Sequence, residues 1–214
     1  MQLFIGLGNP EAKYAKNRHN IGFMVMDALA EAYSFAPFKD KFHGLVAQGI
    51  IPTAKGPEKT LLLKPQTFMN KSGVSVAEAV NFYKLDGSQV LVFYDELDLP
   101  PGKLRMRRDG GLAGHNGLSS IKAHMGADFR RARLGIGHPG HKDKVTGHVL
   151  GDFAKADQDW LAEFLTALCD NAPLAVEGED ATYQTRVVEA MKGAIPEPAK
   201  PKAAKAKKDE SPEG

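Results

Sequence analysis

Apolar positions along the chain alternate between two periods. An apolar run from Gln2 to Leu7 suits a buried strand; a polar loop follows, then helical spacing from about Ile21 to Tyr33 with Phe23, Met26 and Ala30 on the apolar side. Two strands come next, His43 to Ile51 and Lys59 to Leu63, joined by the turn-rich Pro52-Thr53-Ala54-Lys55-Gly56-Pro57, with Pro65 ending the second. Val74, Ala77, Val80, Phe82 and Tyr83 place a helix over about Met69 to Lys84. Val90 to Tyr94 is the short apolar run of a buried strand, which leaves Asp95 at a strand's carboxyl end. A strand at 103–108, a glycine-rich loop from Gly110 to Gly117, a short helix to Met125 and a strand from Arg130 to Gly137 continue the alternation. Two helices, about Lys155 to Val176 and Thr182 to Lys192, complete it. This order predicts an α/β fold: a single domain over residues 1–192, with a mixed, mostly parallel twisted sheet sandwiched by helices.

Length agrees, since 214 residues suffice for one domain with a sizeable core. Beyond Lys192 the sequence turns to Ala, Pro and Lys, so residues 193–214 are expected to be a disordered tail that solubilises or weakly attracts RNA. No apolar run approaches the roughly eighteen residues of a membrane span. The stretch Leu3 to Leu7 is too short for a secretory signal core and has no basic residue before it, so the expected location is the cytoplasm, without a membrane partner. Cys169, the single cysteine, lies in an apolar helical pattern and reads as packing.

The net charge of +2 conceals an uneven distribution. Residues 103–133 carry eight basic side chains against Asp109 and Asp128, whereas residues 134–190 carry four basic against ten acidic. A basic region facing away from an acidic one suits a polyanion docked in one orientation. In Lys103-Leu104-Arg105-Met106-Arg107 and Arg131-Ala132-Arg133-Leu134 the cations alternate with apolar residues, so two adjacent strands would present a basic stripe able to bind phosphates.

Polar clusters interrupt this pattern where strands end or helices begin, the usual location of ligands in open α/β sheets. Gly6-Leu7-Gly8 hints at a dinucleotide loop, but Glu11 stands where the third glycine is needed. Thr67 could cap the helix that follows it. His138, His141 and His148 are separated by Gly and Pro turns and lack an accompanying Cys or carboxylate pattern, so neither a metal nor a cofactor is expected.

Taken together, Gly6-Leu7-Gly8-Asn9-Pro10, Tyr14 to Gly22, Pro65-Gln66-Thr67-Phe68-Met69-Asn70, Asp95 to Gly102, Gly114-His115-Asn116-Gly117-Leu118 and Gly135 to Gly140 resemble the signatures of the bacterial-type peptidyl-tRNA hydrolase family, over about residues 1–190. Two departures stand out: Leu112-Ala113 makes the loop before His115 less glycine-rich, and Tyr94 occupies a position where some members have histidine. The resemblance implies hydrolysis of the ester joining a peptide to the 3′ end of tRNA, in peptidyl-tRNAs that leave the ribosome prematurely. His19 would be the base that takes a proton from water and Asp95 the group that orients it, with Asn9 helping to discriminate blocked from free aminoacyl-tRNA. Asn70 and Asn116 would position substrate and water. Tyr14 and Phe68 would border the 3′ adenine, and Arg107, Arg131 and Arg133 would contact tRNA phosphates. Peptidyl-tRNA is the expected partner, stalled large ribosomal subunits a further candidate, and monomer the expected state. An RNA-binding protein without hydrolysis and a small-molecule esterase are the alternatives from other classes; the first leaves the His19, Asp95 and asparagine set unexplained, the second the basic strands.

Overall fold

Side-chain parity along one central strand sets up two cores. The computed structural model describes residues 1–194. In β1 (Gln2–Gly6) Leu3 and Ile5 join one cluster of buried side chains while Phe4 joins another. α1 (Ile21–Ala32) packs on the Phe4 side. β2 (Lys39–Lys41), a short exposed strand that the hydrophobic pattern gave no sign of, pairs with β3 (Gly44–Thr53). β3 and β4 (Gly56–Pro65) form a longer hairpin than expected, closed by the two-residue loop Ala54-Lys55. α2 (Ser72–Tyr83) starts after a turn of 3₁₀ helix at Met69–Lys71. β5 (Val90–Glu96) is buried throughout, β6 (Leu104–Arg107) is short, and α3 (Asn116–Met125) and β7 (Arg130–Gly135) follow. A short α4 (Val145–Val149), unforeseen in the sequence, precedes α5 (Gln158–Asp170), α6 (Ala172–Val176) and α7 (Asp180–Ala190).

The seven strands order as β2-β3-β4-β1-β5-β7-β6. β4, β1, β5 and β7 are parallel, and both flanks are antiparallel. α1, α5, α6 and α7 pack on one face and α2 with α3 on the other, as a sandwiched, mostly parallel sheet in a single α/β domain requires.

Several local expectations are corrected. The buried stripe of α1 is Ile21, Val25, Met26 and Leu29, whereas Phe23 and Ala30 are only half-buried. Phe82 is 60% exposed and stacks on Phe42 and Tyr83 instead of entering the core. The helix expected from Lys155 to Val176 breaks at Asn171, since Pro173 cannot donate to an unbroken ladder. Thr67 caps nothing: its hydroxyl has no partner among the described residues. The basic and acidic segments, expected to face apart, touch at one point, where the buried Arg130 guanidinium donates to Asp180 at 3.1 Å. The tail, apart from its first residues, lies outside the described residues.

Candidate active site

A close approach of backbones creates the site. At Gly22 a Cβ would stand 2.5 Å from Leu7 N and from Phe93 O, and at Gly6 it would collide with the Gly22 backbone, so glycines let the start of α1 sit directly on the carboxyl ends of β1 and β5. The preceding turn of 3₁₀ helix, Arg18–Asn20, is thereby carried to the end of β5. Buried Asn20 braces the Asn9 backbone at two points, accepting from its N–H and donating to its carbonyl, each at 2.9 Å. The Asn9 side chain then lines the cavity.

Asp95, 5% exposed near the end of β5, stands between two histidines. Its Oδ1 lies 2.8 Å from His19 Nδ1 and 3.1 Å from His115 Nε2. His115 precedes α3, and its Nδ1 accepts from Leu118 N at 3.4 Å, so the proton of this imidazole is assigned to Nε2, which donates to Asp95. His19 Nδ1–H donates to the same oxygen, leaving Nε2 to face the cavity. Burial pushes the His19 pKa down, but the charge and hydrogen bond of Asp95 outweigh it and the net shift is upward. Burial likewise opposes ionisation of Asp95, yet the His19 charge and the bonds from His115 and His19 hold its carboxyl well below the usual carboxylate range. Both shifts favour the ion pair that forms when His19 takes a proton. Tyr94 packs edge-on to His115, ring centroids 5.2 Å apart, and burial pushes its hydroxyl up to about 12, so it is neutral packing for the histidine.

These groups open on a cavity of about 410 Å³, walled on one side by Leu112, Ala113 and Gly114 and on the other by Val145, Thr146 and Val149 of α4. The latter wall is tied down by Arg18, which donates to the carbonyls of His148, Gly151 and Asp152 and pairs with Asp157 at 3.2 Å. Asn17 adds a bond to Asp152 at 2.6 Å. Among the described residues only His19, Asp95 and His115 bring three possible metal-ligating groups together. Both inward nitrogens sit at proton-sharing distance from one carboxylate oxygen, so hydrogen bonds account for the arrangement. His138 and His148 instead bond locally, to Gly140 N and Ile136 O.

The chain matches the peptidyl-tRNA hydrolase family over residues 3–194. It belongs to that family. It is 55% identical over 197 residues to a peptidyl-tRNA hydrolase of Cereibacter sphaeroides, covering 92% of this chain and 86% of the relative. To one of Bradyrhizobium diazoefficiens it is 56% identical over 191 residues, covering 89% and 93%. The crystal structure of the Acinetobacter baumannii peptidyl-tRNA hydrolase is similar with a TM-score of 0.80 at 39% identity, over 87% of this chain and 94% of that one.

Of the residues that the family resemblance singled out, Asn9, His19, Asp95 and Asn116 line the one cavity. Asn70 is exposed in the turn at Met69–Lys71, and its neighbour Met69 reaches the cavity instead. Tyr14 is half-buried under the Lys13 ammonium, and Phe68 is 62% exposed; neither lines the cavity. The basic stripe is interrupted at Arg131. Arg107 is exposed, but Arg133 is bonded to buried Glu96 at 2.9 Å and Arg131 is 2% exposed beneath residues 109–111, whose carbonyls take its protons. Strand alternation puts these cations on one face without saying what covers that face. His115 went without a role in the sequence, although a second histidine beside Asn116 was the available signal.

Proposed function

We propose that this member of the peptidyl-tRNA hydrolase family cleaves the ester between a peptide and the 3′ ribose of tRNA, with His19 as general base. The observation that carries this is the 2.8 Å contact of His19 Nδ1 with buried Asp95, which leaves the second nitrogen free toward the cavity. Water held at His19 Nε2 gives up a proton as its oxygen attacks the ester carbonyl carbon. Asp95 stabilises the imidazolium, and an amide N–H of Asn116 or Asn9 can donate to the oxyanion. Collapse of the tetrahedral intermediate expels the ribose oxygen, which takes the proton back from His19. The products are a peptide carboxylic acid and tRNA with a free hydroxyl.

Discrimination follows from the neutral donors and acceptors at Asn9 and Asn116, which pair with a peptide amide and leave a charged free amino group poorly solvated. Asn70, exposed beside Met69 of the cavity wall, keeps its role in positioning substrate near the ester, and Tyr14 and Phe68, outside the cavity, are assigned to the 3′ end, where aromatic faces stack on adenine. Arg107 and the partly exposed Arg133 are assigned to phosphates. We further read the protein as a cytoplasmic monomer whose partners are peptidyl-tRNA and stalled large ribosomal subunits.

The test is release of N-acetyl-amino acid from N-acetyl-aminoacyl-tRNA, run beside unblocked aminoacyl-tRNA. Hydrolysis of the blocked substrate alone is expected. Tight, salt-sensitive tRNA binding with no hydrolysis would replace the enzyme reading by a binding one.

A further inference from the structure

The arginines of β7 are satisfied in different ways. Arg130 pairs with Asp180 and Arg133 with Glu96, but the buried guanidinium of Arg131 reaches no carboxylate among the described residues. It donates to two main-chain carbonyls, Gly111 O at 3.0 Å and Asp109 O, and its Nε has no partner among the described residues. Burying a cation against neutral dipoles alone is costly. The receiving segment is also irregular: Gly110, Ala113 and Gly114 have φ of 89°, 48° and 74°. Apart from the bond of His115 N to Leu112 O at 2.9 Å, the backbone of residues 109–114 makes no other hydrogen bond among the described residues.

This segment leads directly into the reacting groups. Leu112 and Gly114 line the cavity, His115 reaches Asp95, and Asn116 opens α3. We propose that Arg131 is a positioning residue, a clip that holds the 109–114 backbone against β7 and so delivers His115 and Asn116 to the catalytic pair. It acts from beneath the loop and touches neither tRNA nor the reacting atoms. The kinetic part of this assignment rests on the hydrolase reading; the clip itself does not.

The experiment compares Arg131→Met and Arg131→Lys with the unmodified full chain. Lysine keeps the charge and would preserve a phosphate contact, but a single ammonium cannot bridge two carbonyls in the guanidinium's planar fork. Both variants should therefore lower kcat for N-acetyl-aminoacyl-tRNA by about ten- to a hundredfold through misplacement of the site. KM, tRNA affinity and its salt dependence should stay within about twofold. Amide exchange at His115, whose bond to Leu112 O is the one backbone N–H bond of this segment among the described residues, should accelerate at least about tenfold while β1 and β5 keep their protection. A weakened tRNA affinity with a salt slope reduced by about 0.7–0.9, restored by lysine and with loop exchange unchanged, would overturn the clip in favour of a phosphate contact. Unchanged kcat and unchanged exchange in Arg131→Met would also overturn it.

A measurement on the unmodified protein decides the matter if a variant misfolds. The Nη protons of Arg131 should resist solvent exchange and show hindered rotation in nitrogen-resolved spectra; rapid exchange, as for an exposed arginine, overturns the clip. If the unmodified protein shows these protected protons but no hydrolysis, the proposed reaction fails and the clip stands.

Discussion

The floor of the cavity and its 109–114 wall are held in different ways. Asp95 and His19 rest on β5 and on the 3₁₀ turn Arg18–Asn20 that leads into α1, where glycine contacts at Gly6 and Gly22 press one backbone against another and leave no room for adjustment. The wall has left-handed residues, little hydrogen bonding of its own and a buried arginine beneath it. Groups that must keep a fixed separation through the reaction are carried by the sheet, whereas the surface that meets substrates of differing peptide is carried by the segment with fewest constraints.

Substitutions in the floor should therefore act on chemistry directly, whereas loosening the wall should act on it only through the placement of His115 and Asn116. The largest effect is expected for His19→Ala, with kcat lower by at least about 10³-fold in single-turnover hydrolysis and tRNA affinity retained. Asp95→Asn comes next, at about 10²–10³-fold, because an amide can neither fix the tautomer nor stabilise the imidazolium. Its pH–rate profile carries the sharper sign. Asp95 raises the His19 pKa, so the unmodified enzyme should lose activity as pH falls through a value above 6.5, and the asparagine variant should keep its residual activity to lower pH. An acidic limb that stays in place would show that Asp95 does not set the basicity of His19.

Gly22→Ala probes the same floor through stability. The added methyl has backbone atoms on two sides, and overpacking of this kind costs about 1–3 kcal/mol, or a thermal midpoint lower by roughly 2–10 °C, readable by calorimetry. The smallest effect is expected outside both regions, for Arg107→Ala. Affinity for tRNA should fall a few-fold at low salt with the salt slope reduced by about 0.7–0.9, and kcat should not change. A kcat loss there would mean that the basic edge also shapes the cavity.

Legibility in the sequence followed the range of the interactions. Val90 to Tyr94 declared a buried strand by composition, so the position of Asp95 at its end was readable. The pairing of His19 with Asp95 was available only through the family motifs, because 76 residues separate them. The burial of Arg131 could not be read: its partners are carbonyls 20 and 22 residues earlier in a loop, and carbonyls leave no trace in residue identity. Phe82 misled for a related reason. Its spacing is helical, but which side chains of α2 find a covering partner is not a property of the helix alone. α4 was missed because five residues between Gly140 and Gly151 carry too short a period to detect.

The two ends of the sheet have one more consequence. Both outer strands are short and cationic, with Lys39 and Lys41 at one margin and Arg105 and Arg107 at the other. An unpaired strand invites a second molecule to add its own, and short charged margins discourage this. At β6 the margin is also closed from the side, since Gln184 of α7 accepts from the Met106 N–H at 2.8 Å, so neutralising Arg107 should weaken tRNA binding without opening that edge to a second molecule.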